Sequence, residues 1–458
     1  MKHYKQTMAK QFIYLLLLCI PLKVFAQSAL EHLQNMHTVQ RKETFYEIAR
    51  KYGVSITDLE LANPDVNKEK LKKGTLLIIP KHKEEAEPTP ATEEVIATPA
   101  PQIRLSYETL KVGILLPLQE KTPRAAKLLE FYQGFLMAVD SVKKEGKNIE
   151  VYTWHCGKTT DEMLNLLQTP KIAEMTVIFG PADNEQIGLL ADFCRGHHIR
   201  HVLPFANTHT YEGFPQQYIA TAGNYVTQRE AVKKICGNAY DNRNYIHLKT
   251  NYTDNKGELF LQHVKTFLNE QGQSIRELNI EADTTAYESV MNLYRNNVII
   301  PDNCDQRTLN ILFAKLNLFT QIRPDYKISI IGYPEWQTYT SNQLREFYKY
   351  DTYIYTPYFY NPLDAKTAQF EAGFRKNFNT SMQVSFPRYG MLGFDLGYYF
   401  MHGLATLGDT FEVRQSELTY NPYQHYFQFN KYAENDGFTN HAVQLIHYTP
   451  QQTIEQIR

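Results

Sequence analysis

From Leu110 onward the chain alternates short apolar runs with amphipathic stretches, and this rhythm restricts the fold more than any other feature. Residues 111–118 (KVGILLPL) are apolar at nearly every position, the pattern of a strand covered on both faces. Residues 125–144 then carry Leu129, Tyr132, Phe135, Leu136 and Val139 at helical spacing. The alternation continues as strand 149–154, helix 161–167, strand 176–180, helix 184–195 and strand 201–204. A second series has helix 226–236, strand 245–248, helix 257–270, strand 278–280, a helix from Tyr287, strand 298–301, helix 307–319 and strand 327–331. Two such series predict an α/β fold of two lobes, each a parallel sheet with helices on both faces.

The first hundred residues follow other rules. Lys2, Lys5 and Lys10 precede an apolar run at 12–20, and Val24-Phe25-Ala26 precedes Gln27 like a small-residue cleavage site. The run is too short to span a bilayer. Residues 1–26 are therefore expected to be a secretory signal peptide, placing the protein in the periplasm. Cys19 offers a lipoprotein alternative, opposed by Leu18 where a small residue is wanted and by Ile20-Pro21 after it. The formal charge of −1 falls to near −5 once the four lysines of this leader are removed, which argues against nucleic acid as a partner. Cys156, Cys194, Cys236 and Cys304 remain, and both disulfides and buried free thiols stay open. Residues 82–106 are rich in Pro, Glu, Ala and Thr, as an extended linker is.

Between leader and linker, the spacing predicts a small βααβ module over 37–81. A strand around Val39 leads to Phe45, Ile48, Ala49 and Tyr52 on one helix face. Thr44 with Glu47 forms a capping box, and Gly53 sits at the helix end. Ser55 with Asp58 starts a second helix that Asn63-Pro64 stops, and Gly74 turns the chain into a last strand at 75–79. Val39, Thr44, Ile48-Ala49, Tyr52-Gly53-Val54, Leu59, Asn63, Gly74 and Ile79-Pro80 resemble a LysM module. The resemblance implies binding of N-acetylglucosamine-containing glycans, chiefly peptidoglycan. It implies a groove formed by Arg41, Lys42, Glu43, Thr44 and Phe45 on one loop and Leu71 and Gly74 on the other. The family's usual Gly-Asp before the Thr is Lys42-Glu43 here. Lys and Arg outnumber Asp and Glu by ten to six over 37–83, suited to an anionic envelope polymer.

Residues 107–450 resemble the type I periplasmic-binding fold of the leucine/isoleucine/valine-binding proteins. The residues that carry this are Val112 to Pro117, Gly134-Phe135, Ala138-Val139-Asp140, Gly180-Pro181, Leu203-Pro204-Phe205 and Gly393-Phe394-Asp395. The resemblance implies three crossovers, near 218–224, 355–362 and 406–416. Lobe 1 would hold about 107–220 and 360–408, and lobe 2 about 222–356 and 414–450. Ligand would sit between the lobes at the carboxyl ends of the strands. The candidates there are Trp154, Ala182, Asp183, Asn207, Thr208, Tyr252, Glu335 and Trp336.

The chain carries no nucleophile-elbow, zinc-protease, dinucleotide or P-loop motif. His197, His198, His201 and His209 lack metal-site spacing. Neither enzyme activity nor a metal or cofactor is expected. The expected function is a non-enzymatic cell-wall protein that holds peptidoglycan and presents a two-lobed domain to a small solute or muropeptide. The alternative is an interaction protein regulating a cell-wall synthase, as in the lipoprotein activators of penicillin-binding synthases, whose C-terminal domain the second region also resembles. A wall hydrolase is a further, weaker alternative.

Overall fold

The structure is a computed structural model and describes residues 36–40, 48, 49, 51, 52, 59, 62, 63, 66, 71–79, 104–206, 213–221, 223–237, 242–251, 256–431 and 433–458. The leader 1–26, Cys19 and residues 82–103 of the expected linker lie outside the described residues. The chain divides into two compact units, Met1–Ala100 and Pro101–Arg458.

In the first unit, β1 (Met36–Thr38) pairs antiparallel with β2 (Leu76–Ile78), His37 opposite Leu77. Val39, Ile48, Ala49, Leu59, Leu77 and Ile79 form its core, and Val66 and Leu71 pack against it. Asn63, read from the sequence as a helix stop and as one of the residues that resemble a LysM module, is a buried cross-tie. Its Nδ2 donates to Leu59 O at 2.7 Å and Ile78 O at 2.8 Å, and its Oδ1 accepts from Ile78 N at 2.7 Å. One amide thus satisfies main-chain groups of a helical segment and a strand together.

The second unit is two lobes built on the same plan. Lobe 1 begins with β3 (Leu110–Leu116), α1 (Pro123–Lys144), β4 (Ile149–His155), α2 (Thr160–Leu167), β5 (Val177–Phe179), α3 (Asn184–Gly196), β6 (Arg200–Leu203) and β7 (Gln217–Ile219). Lobe 2 continues with α4 (Asn224–Cys236), β8 (Arg243–Lys249), α5 (Glu258–Glu270), β9 (Ile275–Asn279), α6 (Thr284–Val290), β10 (Asn296–Pro301), α7 (Gln306–Ile322), β11 (Ile328–Gly332), α8 (Thr340–Lys349) and β12 (Thr352–Thr356). The chain returns to lobe 1 for α9 (Ala365–Phe378), α10 (Tyr389–Leu407), β13 (Phe429–Asn430) and β14 (Phe438–Asn440). It closes in lobe 2 with β15 (Gln444–Tyr448) and β16 (Ile454–Ile457).

The two seven-stranded sheets run β13-β14-β7-β6-β5-β3-β4 and β16-β15-β12-β11-β10-β8-β9. All pairs within β14-β7-β6-β5-β3-β4 and within β12-β11-β10-β8-β9 are parallel, and β13, β15 and β16 pair antiparallel. Helices cover both faces. Along β3, Val112, Ile114 and Leu116 enter the core under α1 and α10, and Leu115 enters the core under α2 and α3.

Local signals start the helices where the sequence suggests. Thr122 caps α1 by accepting from Ala125 N, with Pro123 in the first turn. Thr159 and Glu162 form a reciprocal capping box on α2. Glycines let α1 and α10 cross closely: a Cβ on Gly134 would lie 1.7 Å from Gly390 O. One on Gly393 would lie 1.9 Å from Phe131 O.

Two expected boundaries move. The last crossing falls at 441–443, between β14 and β15, rather than at 406–416, because β13 and β14 extend the sheet of lobe 1. The expected linker also ends early. Just past the end of α10, Asp409 N donates to Arg104 O, Arg104 N donates to Asp409 Oδ2, and Tyr107 Oη donates to Asp409 Oδ1 at 2.5 Å. Arg200, with a side chain only 4% exposed, joins this cluster by donating Nη1 to Tyr107 Oη at 2.9 Å, and its Nε pairs with Glu412 at 2.7 Å.

Candidate functional site

In open parallel sheets the crevice for a ligand lies at the carboxyl ends of strands, where the strand order reverses. Lobe 1 reverses between β3 and β5, and lobe 2 between β8 and β10. These two points define the candidate cleft.

At the lobe 1 point, α3 begins at Asp183, whose side chain makes no capping bond. Its Oδ1 instead pairs with Arg124 Nη1 at 2.5 Å, and Arg124 Nη2 donates to Ala182 O at 2.6 Å. The Asp183 carboxylate is thereby offset by a guanidinium from the first turn of α1. Among the described residues, Asp183 Oδ2 is buried without a hydrogen-bond partner. A second ion pair, Lys158 to Glu120 at 2.6 Å, stands on the same rim. Phe205, just past β6, stacks on Tyr389 with centroids 6.0 Å apart, and Lys127 Nζ lies 5.6 Å from the Tyr389 ring.

At the lobe 2 point, Asp302 is 2% exposed. Its Oδ1 accepts from Thr250 N at 3.0 Å and Thr250 Oγ1 at 2.6 Å, and His247 Nε2 lies 3.5 Å from Oδ2. Burial pushes the Asp302 carboxyl up, but bonds from His247 and Thr250 outweigh it and leave it below the usual carboxylate range. Tyr333 Oη donates to Pro301 O beside it.

Tyr358 lies just after β12, packed against Phe386 and His425. Burial raises its phenol to about 12, helped by the charge of Glu335 from lobe 2 and by Tyr389 from lobe 1. Tyr358 thus feels one group from each lobe, Glu335 and Tyr389. Glu335 is exposed, and no ion pair holds it among the described residues.

The sequence-derived list is only partly gathered here. Asp183, Ala182 and Glu335 stand at strand ends on the cleft side. Trp336 does not line the cleft: it is 0% exposed, and its Nε1 donates to Cys304 O at 3.0 Å. The ring folds back over Gly332, where a Cβ would meet Trp336 Cε3 at 2.1 Å, and stacks on Phe347 at 5.9 Å. Trp154 stacks on Tyr152 at 6.0 Å, on the sheet face that packs under α2 and α3. Side chains two apart on a strand share a face, so Trp154 follows Tyr152 and not the strand end. Asn207, Thr208 and Tyr252 lie outside the described residues, as do Arg41, Lys42, Glu43, Thr44 and Phe45 of the glycan loop. Of the second glycan loop, Leu71 packs on the small core. Gly74, at φ +91°, has open space around its Cβ position and donates its N–H to Val39 O at 2.8 Å.

Sequence reasoning missed Arg124, Lys127, Tyr358 and Tyr389. The available signal was position: Arg124 follows the Thr122-Pro123 cap, and Tyr389 opens α10 after Pro387-Arg388. The four cysteines of the second unit are buried thiols outside any disulfide, which decides between the two readings left open. Among the described residues, no group of three His, Cys, Asp or Glu could hold a metal, and no helix is long and apolar enough to cross a membrane.

The LysM domain family profile matches residues 37–80. No curated protein matches the chain. Solved structures that resemble it include an ABC transporter substrate-binding protein from Desulfitobacterium hafniense in complex with Leu, at 13% identity and TM-score 0.40, covering 76% of this chain and 100% of that one. A branched-chain amino acid ABC transporter periplasmic ligand-binding protein from Burkholderia xenovorans has 11% identity and TM-score 0.44, with 76% and 94% covered. The LpoA C-domain from Haemophilus influenzae, a regulator of PBP1A, has 13% identity and TM-score 0.46, with 76% and 100% covered. The chain thus joins a LysM domain at residues 37–80 to a two-lobed α/β unit of type I periplasmic-binding architecture, evident in its own strand order.

Proposed function

We propose that this protein is a non-enzymatic component of the cell envelope, exported to the periplasm, which holds peptidoglycan through residues 37–80. The observation that carries this reading is the LysM match over the whole small module. The buried set Val39, Ile48, Ala49, Leu59, Leu77 and Ile79 supports it, since these residues keep the two strands and the helical segments together. A soluble N-acetylglucosamine oligomer titrated into the full chain by calorimetry tests the reading. Saturable binding that weakens when Gly74→Glu places a charged side chain on the open side of the groove is the expected result. Heat of dilution alone would contradict it.

The two-lobed unit serves as a binding module and not as a catalyst. Arg124 and Lys127 on lobe 1, Glu335 on lobe 2, and the rings of Phe205, Tyr389 and Tyr358 between them suit a small amphoteric solute such as a muropeptide. A carboxylate would be drawn to the guanidinium side and an ammonium to Glu335, with an apolar face against the rings. Release of soluble muropeptides from purified peptidoglycan in proportion to protein added would contradict the non-enzymatic assignment.

A further inference from the structure

A groove at the opposite end of lobe 2 plays no part in the cleft. One wall is α8, which presents Ser341, Arg345 and Lys349 at successive i, i+4 positions with Tyr348 beside them. The other wall is the β15–β16 turn with Pro450 and Gln452. The space measures about 550 Å3, within the range of about 300–1,000 Å3 that holds small ligands and short peptide stretches. β12 starts at Thr352 opposite Tyr448, and the turn follows directly, so the groove lies at the amino ends of the parallel strands, away from the carboxyl-end crevice.

Both walls are held in place. Lys349 Nζ donates to Asn317 Oδ1 at 2.6 Å, and Tyr348 packs on Tyr448 with centroids 5.8 Å apart. In the turn, Thr449 and Thr453 bond through their hydroxyls at 2.7 Å, and Thr449 N donates to Thr453 O. The lining holds two cations and no carboxylate. Arg345 is exposed, and its side chain has neither an ion pair nor a hydrogen bond among the described residues. Two cations four residues apart on a helix repel each other, and an anion between them removes the repulsion. Arg with an adjacent tyrosine in a concave site is also the composition of protein-docking hot spots.

We propose that this groove is a docking site for an extended acidic segment of a partner protein. Carboxylates of the segment pair with Arg345 and Lys349, and its backbone or side-chain stems lie along Tyr348 and Pro450. Because the groove is remote from the cleft, a partner docks there without covering the cleft. The assignment is independent of peptidoglycan binding.

The test is fluorescence anisotropy of a labelled short poly-glutamate peptide with the full chain at low and moderate salt. The expected result is saturable binding that weakens with salt, with a poly-lysine peptide failing to bind. Arg345→Glu is expected to weaken binding about tenfold or more, while Arg345→Lys retains most of it. Lys234→Glu, a charge reversal on the exposed last turn of α4, is expected to leave it unchanged and so separates the groove from net charge. Thermal unfolding of each variant shows whether the fold is kept, and Tyr348→Ala gives a second route to the groove should Arg345→Glu unfold. Three results would overturn the proposal: no binding, binding indifferent to both groove variants, or displacement by inorganic phosphate as effective as by unlabelled peptide. Equal Arg345-dependent binding to vesicles of anionic phospholipid would also overturn it, in favour of a lipid surface.

Discussion

Lobe 1 and lobe 2 share a strand order yet finish the same crevice differently. In lobe 1 the reversal point is ringed by solvent-reachable ion pairs: Arg124 to Asp183, with side chains 51% and 20% exposed, and Lys158 to Glu120, 49% and 20% exposed. In lobe 2 it is closed by buried groups: Asp302 tied to Thr250, Tyr333 bonded to Pro301 O, and Trp336 packed beneath. Exposed pairs exchange partners at little cost, whereas buried ones resist. Under the proposed binding role, lobe 1 is therefore the side where an incoming ligand would replace existing contacts, and lobe 2 the rigid jaw.

The largest effect that would break this contrast is in the core of lobe 2. Trp336→Ala should cost about 3–5 kcal/mol of unfolding free energy, because it removes a fully buried indole stacked on Phe347. Trp154→Ala, half-buried on an edge strand, should cost less than half as much in the same urea titration. Equal costs would mean that the two tryptophans have equivalent surroundings and that the rigid-jaw reading fails.

A pH effect comes next. Asp395 in α10 is buried and accepts from the backbone N–H groups of Tyr423, Gln424 and His425. Burial lifts its carboxyl to about 6 against those three donors, above the usual value near 4. A raised folded-state value means that the protonated form is favoured on folding. Its stabilising contribution is full below about pH 4 and is lost as pH rises through about 6, on the order of 3 kcal/mol in all. Asp395→Asn should flatten that part of the stability-versus-pH curve, and an unchanged slope would assign it to other groups.

The polar partners of the two crevice ends differ on a smaller scale. Asp302→Ala strands the Thr250 N–H and hydroxyl and should destabilise by about 1–3 kcal/mol. Asp183→Ala breaks a solvent-reachable pair and should cost at most about 1 kcal/mol. The reverse order would exchange the roles of the two jaws.

The smallest expected effect is on ligand response. A solute that raises the melting temperature should lose part of that shift in Tyr389→Ala and Glu335→Gln, and none of it in a variant of Trp154 that remains folded. A shift indifferent to both cleft substitutions would place the binding elsewhere.

The fold was legible in the sequence because each βα step carries two signals, an apolar run and a capped amphipathic helix. Thr122-Pro123 and Thr159 with Glu162 are such starts. The last crossover was not, because β13 and β14 span only two and three residues and show no period. Site reading failed where position along the strand was taken for direction. Glu335 and Trp336 are adjacent, yet one is exposed and the other fully buried, since Gly332 opens room beneath the indole that no spacing rule reveals. Asn63 shows the same limit: its place after a helix was plain, but its three bonds to Leu59 and Ile78 required the fold.

The proposed hold on peptidoglycan through the LysM domain at residues 37–80 has a direct test. Co-sedimentation with insoluble peptidoglycan, comparing the full chain with one lacking residues 37–80, measures that directly. The full chain should pellet with the polymer and the deleted chain should stay in the supernatant. Equal pelleting of the two would contradict the account.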